Sequence, residues 1–240
     1  MDWSVKIFSY CERGSNPAFW AEPFNAITNA AFIFASLAAL VVWTRQPSAK
    51  RGLTELALIA LVAIIGVGSF LFHTYATRWS AIADTAPIGL FMFVYTGYAL
   101  RLFVRLPWIA AALGVALFGW LLNTAFNMPC PVALRGLVSG HRCLNGSIGY
   151  LPALAMLGSV GVLASLRRHP AAPWLLASTV LLALSLTART VDLEVCSASR
   201  VWGQLRGTHA IWHLLNAAML GLLLLAAVRH GRPTNGDAPP

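Results

Sequence analysis

Charge is what this chain has least of. Only 10% of its 240 residues are Asp, Glu, Lys or Arg. An ordinary soluble domain carries roughly 25%, so a water-exposed globular fold is excluded. Acids are the scarcer sign: 8 Asp and Glu stand against 17 Lys and Arg, a net charge of +9. That excess is not a nucleic-acid signature, because the basic residues stand in ones, twos and threes at the ends of apolar runs and form no stripe. They are placed as topology determinants and headgroup anchors. An apolar leader core is not seen either. Residues 1–23 hold no seven-residue apolar core, so no cleavable signal peptide is expected and the first membrane helix serves as its own targeting signal. No internal repeat is visible, and one bundle accounts for the chain.

What is present is apolar. Hydrophobic residues make up 58% of the chain and the mean hydropathy is +0.69, which places it among integral membrane proteins. Seven segments are long enough to cross a ~30 Å hydrocarbon core, near 24–43, 53–72, 80–100, 107–126, 147–166, 174–190 and 208–228. The expected fold is an all-α, seven-helix membrane bundle over 24–230, preceded by an N-terminal loop segment, 1–23, and followed by a tail, 231–240, of disordered composition.

Orientation follows from basic residues and cysteines. With the N-terminus outside and the C-terminus cytoplasmic, Arg45, Lys50, Arg51, Arg101, Arg105, Arg167, Arg168, Arg229 and Arg232 face the cytoplasm in short loops and the tail. The four cysteines, Cys11, Cys130, Cys143 and Cys196, then all lie on the outer face. Confinement to one side points to an oxidising compartment and disulfides, with four unpaired thiols as the alternative.

Three histidines carry the chemistry. His209 and His213 are spaced i, i+4, so on a helix they point the same way, and His73 closes a separate apolar run. Asp84 follows eleven residues later. In a seven-span bundle all four reach the N-terminal face at one depth, and ionisable groups there are costly and functional. Three neutral imidazoles with an open fourth position form a catalytic zinc site, and a nearby carboxylate activates water. Haem ligation by a histidine pair would leave Asp84 and the third histidine unexplained. Ser69, one turn deeper than His73, can reach a metal-bound water or a substrate carbonyl, or can simply bond the preceding turn of its helix. His169 and His230 fall on the opposite face beside arginines and read as interfacial residues, while His141 is a loop candidate.

A second constellation lies in the N-terminal segment. Glu12, Asn16 and Glu22 cluster oxygen ligands in a Gly- and Pro-containing stretch, as a hard cation such as Ca²⁺ requires; a solvated acidic loop is the alternative. The interleaved aromatics Trp3, Phe8, Tyr10, Phe19 and Trp20 suit an interfacial belt. Asn123 and Asn127 are candidates for a polar headgroup or for helix packing.

At these residues the chain resembles the alkaline ceramidases, within a wider superfamily of seven-span hydrolases that includes adiponectin- and progestin-type receptors. Tyr10-Cys11-Glu12 with Ala21-Glu22-Pro23-Phe24-Asn25 and Thr28-Asn29 resembles the family's cation loop. Gly68-Ser69 through His73 to Asp84 and Pro87 matches its Ser-x3-His-x10-Asp pattern, and His209-Ala210-Ile211-Trp212-His213 its closing His-x3-His. The resemblance implies Zn²⁺ on His73, His209 and His213, with Ser69 and Asp84 contacting the zinc-bound water. It also implies Ca²⁺ held by Glu12 and Glu22 with a Tyr10 backbone oxygen, and a Cys11–Cys196 disulfide that leaves Cys130 and Cys143 as a local pair. Ser9, Gly14, Ala81 and Thr85 depart from the family pattern.

The function expected is therefore a membrane zinc amidohydrolase that cleaves a ceramide-like lipid into a fatty acid and a sphingoid base. Its partners would be the bilayer and that lipid, with no nucleic acid. The rivals are the same fold acting on another acyl ester or N-acyl amine, and a receptor with structural zinc.

Overall fold

The structure, a computed structural model, describes residues 2–131, 134 and 143–232. His141 and the tail from 233 onward lie outside the described residues. Among the described residues seven helices follow one another: α1 Pro23–Thr44, α2 Leu53–Tyr75, α3 Arg78–Leu102, α4 Trp108–Asn127, α5 Leu151–Leu166, α6 Ala172–Thr190 and α7 His209–His230. A short ribbon, β1 Arg200–Val201 paired antiparallel with β2 Gln204–Leu205, precedes α7.

Six of the seven helices are long and apolar enough to cross a membrane, so the protein is an integral, multi-pass membrane protein. The exception is α3. Over 25 residues α3 carries Arg78, Ser80, Asp84, Thr85, Tyr95, Thr96, Tyr98 and Arg101, which dilute its apolar character.

Each helix packs on its neighbours in sequence, and α7 closes the ring on α1. This order follows from short connections, which force consecutive helices to run antiparallel. The α2–α3 junction shows the local logic. Ala76 takes a left-handed conformation (φ 48°) and stops α2, and Thr77 then starts α3 with a capping box to Ser80. The N-terminal segment lies along this junction, with Ile7 N–H donating to the Ala76 carbonyl at 2.7 Å.

Two disulfides are present, Cys11–Cys196 and Cys130–Cys143, with Cα separations of 5.5 and 5.1 Å. Between the helices lies a half-open apolar pocket lined from all seven of them, with Phe32, Ile65, Tyr95, Phe118, Met156 and Trp212 among its walls.

Candidate metal centre

The end of α2 and the start of α7 meet at one end of the ring, and there the three imidazoles converge. His73, His209 and His213 are each 1% exposed, and each offers a nitrogen within 4.8 Å of the others. A tetrahedral zinc site needs donor atoms only ~3.3 Å apart at ~2.0–2.1 Å bonds, so small side-chain movements close the set. Ring centroids 4.7–5.1 Å apart leave no space between them for a haem. His73 Nε2 and His209 Nδ1 are buried without a hydrogen-bond partner. Orphaned buried nitrogens cost about 1–3 kcal/mol each, and a metal removes that cost. The residues present fit a metal ion. Among the described residues no fourth His, Cys, Asp or Glu joins the group.

Two of the imidazoles are held at their Nδ1 atoms. The Glu22 carboxylate meets His73 Nδ1 at 2.6 Å, and the Thr28 hydroxyl meets His213 Nδ1 at 2.9 Å. Such partners set tautomer and ring direction at metal sites. Tyr10 covers the group, its ring stacked on His209 at 3.7 Å between centroids. Burial pushes the Tyr10 phenol up to about 12, against the opposing effect of Arg189, so it stays neutral and accepts a hydrogen bond from Arg189 at 3.3 Å. Asp192 holds the start of α7, accepting from the N–H groups of Cys11, Thr208 and His209 at 2.8–3.0 Å. This places a carboxylate at the positive end of the helix that carries two of the histidines.

Asp84 and Ser69 come together through a close helix contact. Pro87 lacks an N–H, so the carbonyl of Ala83 loses its helical donor. That oxygen lies against Gly68, where any Cβ would overlap it. The approach sets the half-buried Asp84 near the buried Ser69 and within electrostatic reach of His73.

Arg13 was not singled out in the sequence, yet it organises this end. Its guanidinium is fully buried and all five N–H groups are used: Nε pairs with the Glu22 carboxylate, Nη1 donates to the carbonyls of Asn16 and Ala18, and Nη2 to those of His73 and Thr74. It therefore caps the end of α2 and pairs the carboxylate that orients His73. Burial by itself would raise the Glu22 carboxyl; the facing His73 and the bonds from His73, Asn25 and Arg13 outweigh it and hold it below the usual range.

The residues expected to hold Ca²⁺ are used otherwise. Glu12 accepts from the N–H groups of Phe24 and Asn25 at 2.9 and 2.8 Å and pairs with Arg206 at 2.5 Å. Glu22 is taken by Arg13, His73 and Asn25. Asn16 turns its side-chain oxygen to the Ala18 N–H, and the Tyr10 carbonyl accepts from Gly14. With a guanidinium on each carboxylate, this arrangement does not fit a hard cation, which needs those oxygens free. Asn123 and Asn127 are exposed and bond each other along α4.

The family model for Ceramidase matches residues 8–236, nearly the whole chain. The chain belongs to the ceramidase family. No curated protein matches it. Membership supports a ceramide-hydrolysing enzyme, a hydrolase acting on an amide bond of a membrane lipid. The buried histidines give this ceramidase-family chain a place for a metal consistent with metal-dependent hydrolysis.

Proposed function

We propose that the protein is a zinc-dependent amidohydrolase that cleaves the N-acyl bond of ceramide-like sphingolipids, releasing a fatty acid and a sphingoid base. The observation that carries the reading is a buried three-histidine group with orphaned nitrogens and no fourth ligand among the described residues, set at the head of an apolar cavity. A structural zinc is normally closed by four protein ligands, so the open position favours catalysis over a receptor.

His73, His209 and His213 would hold the ion. Bound there, Zn²⁺ supplies a Lewis acid that brings the pKa of a water at such a site to about 7. Asp84 accepts the proton of the attacking water at its carboxylate and returns it to the departing amine nitrogen. Ser69, one turn below His73 and close to Asp84, would donate its hydroxyl to the oxygen of the attacked carbonyl. Glu22 and Thr28 hold the imidazoles of His73 and His213, and Tyr10 excludes water above His209. The acyl chain enters the cavity, whose upper wall is Phe32, 6.4 Å from His213, and Trp212, 6.4 Å from His209.

All seven helices cross the membrane in this reading, with α3 carrying its polar residues at the two ends and toward the ring interior. The N-terminus and the metal centre lie on the outer side, where disulfides persist, and the C-terminus is cytoplasmic.

Metal analysis joined to a substrate panel tests the proposal. Purified protein should contain about one zinc per chain and release fatty acid from N-acyl sphingoid bases faster than from acyl esters. The His213→Ala protein should lose both metal and turnover, since two imidazoles compete poorly for zinc. Full zinc occupancy in that variant would remove the ligand set, and preferred hydrolysis of esters would remove the substrate class.

A further inference from the structure

The opposite end of the ring holds a second feature, which the proposed reaction does not use. The start of α2 and the ends of α3 and α7 meet there, some 30 Å from the histidines at ~1.5 Å per helical residue. An open basin there is lined by Lys50, Arg101, Arg105, Arg229, Arg232, His169 and His230. These residues come from four separate stretches of chain that only the closed ring brings together. Five full cations thus face one space, and the carboxylate paired there is Glu55, which accepts from Arg232 at 3.4 Å and from the Tyr98 hydroxyl at 2.7 Å.

Like charges so placed repel, and membrane-embedded walls strengthen the field. His169 registers it: burial, with Arg105 and His230 facing it, holds its imidazole below the usual range. At Gly231 any Cβ would collide with the Tyr98 hydroxyl, so the α7 end can lie flush against α3 only with glycine there.

The depth of the basin identifies its occupant. Three arginines at this end stack on tryptophans: Arg51 on Trp43 at 5.9 Å, Arg101 on Trp108 at 4.2 Å and Arg229 on Trp174 at 5.3 Å. Trp108 is 74% exposed although it begins an apolar helix, as a residue in the headgroup layer would be. A cationic pocket between helices at that level matches a phosphate joined to acyl chains.

We propose that this basin is a binding site for the headgroup of an anionic phospholipid, distinct from the metal centre and its substrate. The phosphate is held by Lys50, Arg105 and Arg229, while Arg101 and Arg232 are tied into the wall by the Leu106 carbonyl and by Glu55. The acyl chains lie along the outer surface beside Trp108.

Native mass spectrometry of the purified protein, titrated in detergent, provides the test. The probes are phosphatidylglycerol, phosphatidylcholine with the same chains, and inorganic phosphate. Phosphatidylglycerol should bind saturably, phosphatidylcholine at least tenfold more weakly, and inorganic phosphate should not compete at millimolar concentration. Each cation near a lipid headgroup is worth about fivefold in binding, so Lys50→Gln with Arg229→Gln should weaken phosphatidylglycerol about thirtyfold. Lys50→Arg with Arg229→Lys, which keeps both charges, should bind as the native protein does and so controls for folding. Equal binding of the two lipids, unchanged affinity in the Gln variant, or full competition by inorganic phosphate would overturn the proposal. None of these results bears on amide hydrolysis, which is read separately.

Discussion

An Arg13→Met substitution isolates what one buried guanidinium does for the metal centre. The Arg13 and Glu22 side chains are 0% and 3% exposed, so solvent cannot replace the lost partner. Removing one member of a buried pair typically costs about 3–5 kcal/mol, because the other charge is left behind. In a chain of this size that amounts to a fall in melting temperature on the order of 10 °C. The loss should also reach the metal. Glu22 would keep Asn25 and His73 as partners but lose the group that anchors it, and His73 would lose its fixed direction. Outer partners of this kind are worth about 10–100-fold in metal affinity. The assay is zinc affinity by competition with a chelator, beside melting curves of zinc-saturated and metal-stripped protein. Arg13→Lys, with three donors in place of five, should fall between the native protein and Arg13→Met on both measures. Native zinc affinity and native melting in Arg13→Met would refute the reasoning, since the buried pair would then be doing nothing for either.

Asp84→Asn should keep its zinc and its melting temperature but lose turnover by about 10²–10⁴-fold, because an amide cannot accept the proton; near-native hydrolysis by a zinc-loaded variant would take Asp84 out of the reaction. Millimolar Ca²⁺ should leave the melting temperature unchanged, since Arg206 and Arg13 already neutralise Glu12 and Glu22. A rise abolished by Glu12→Gln with Glu22→Gln would show that a cation displaces these arginines.

The helices and the histidines were legible in the sequence for the same reason: both depend on spacing along a single segment. Apolar runs of membrane length mark the bundle, and i, i+4 spacing with placement at helix ends puts three imidazoles at one depth. The rest depends on what faces what. Glu22 reads as an oxygen ligand until the structure shows Arg13 beside it and His73 behind it, and Arg13 reaches the His73 carbonyl across 60 residues. Asp192 reads as a loop acid, yet it holds the start of α7 from 17 residues away. Lys50, Arg105 and Arg229 read as scattered anchors because ring closure, which no local pattern records, is what brings them to one basin. Even α3 fits this division: Tyr95 and Tyr98, which lower its membrane signal, donate to the Leu223 carbonyl and to Glu55 on other helices.

The distance in sequence between the ligands has a consequence for synthesis. His209 follows His73 by 136 residues. At about 5–20 residues per second, roughly 7–27 s pass before the second imidazole exists. Arg13 and Glu22, by contrast, are made before His73 and come to rest against it. The early half of the centre is thus made with its own charges matched, Arg13 on Glu22 and Glu22 on His73. The three-histidine group is therefore complete only when the last helix docks against the end of α2.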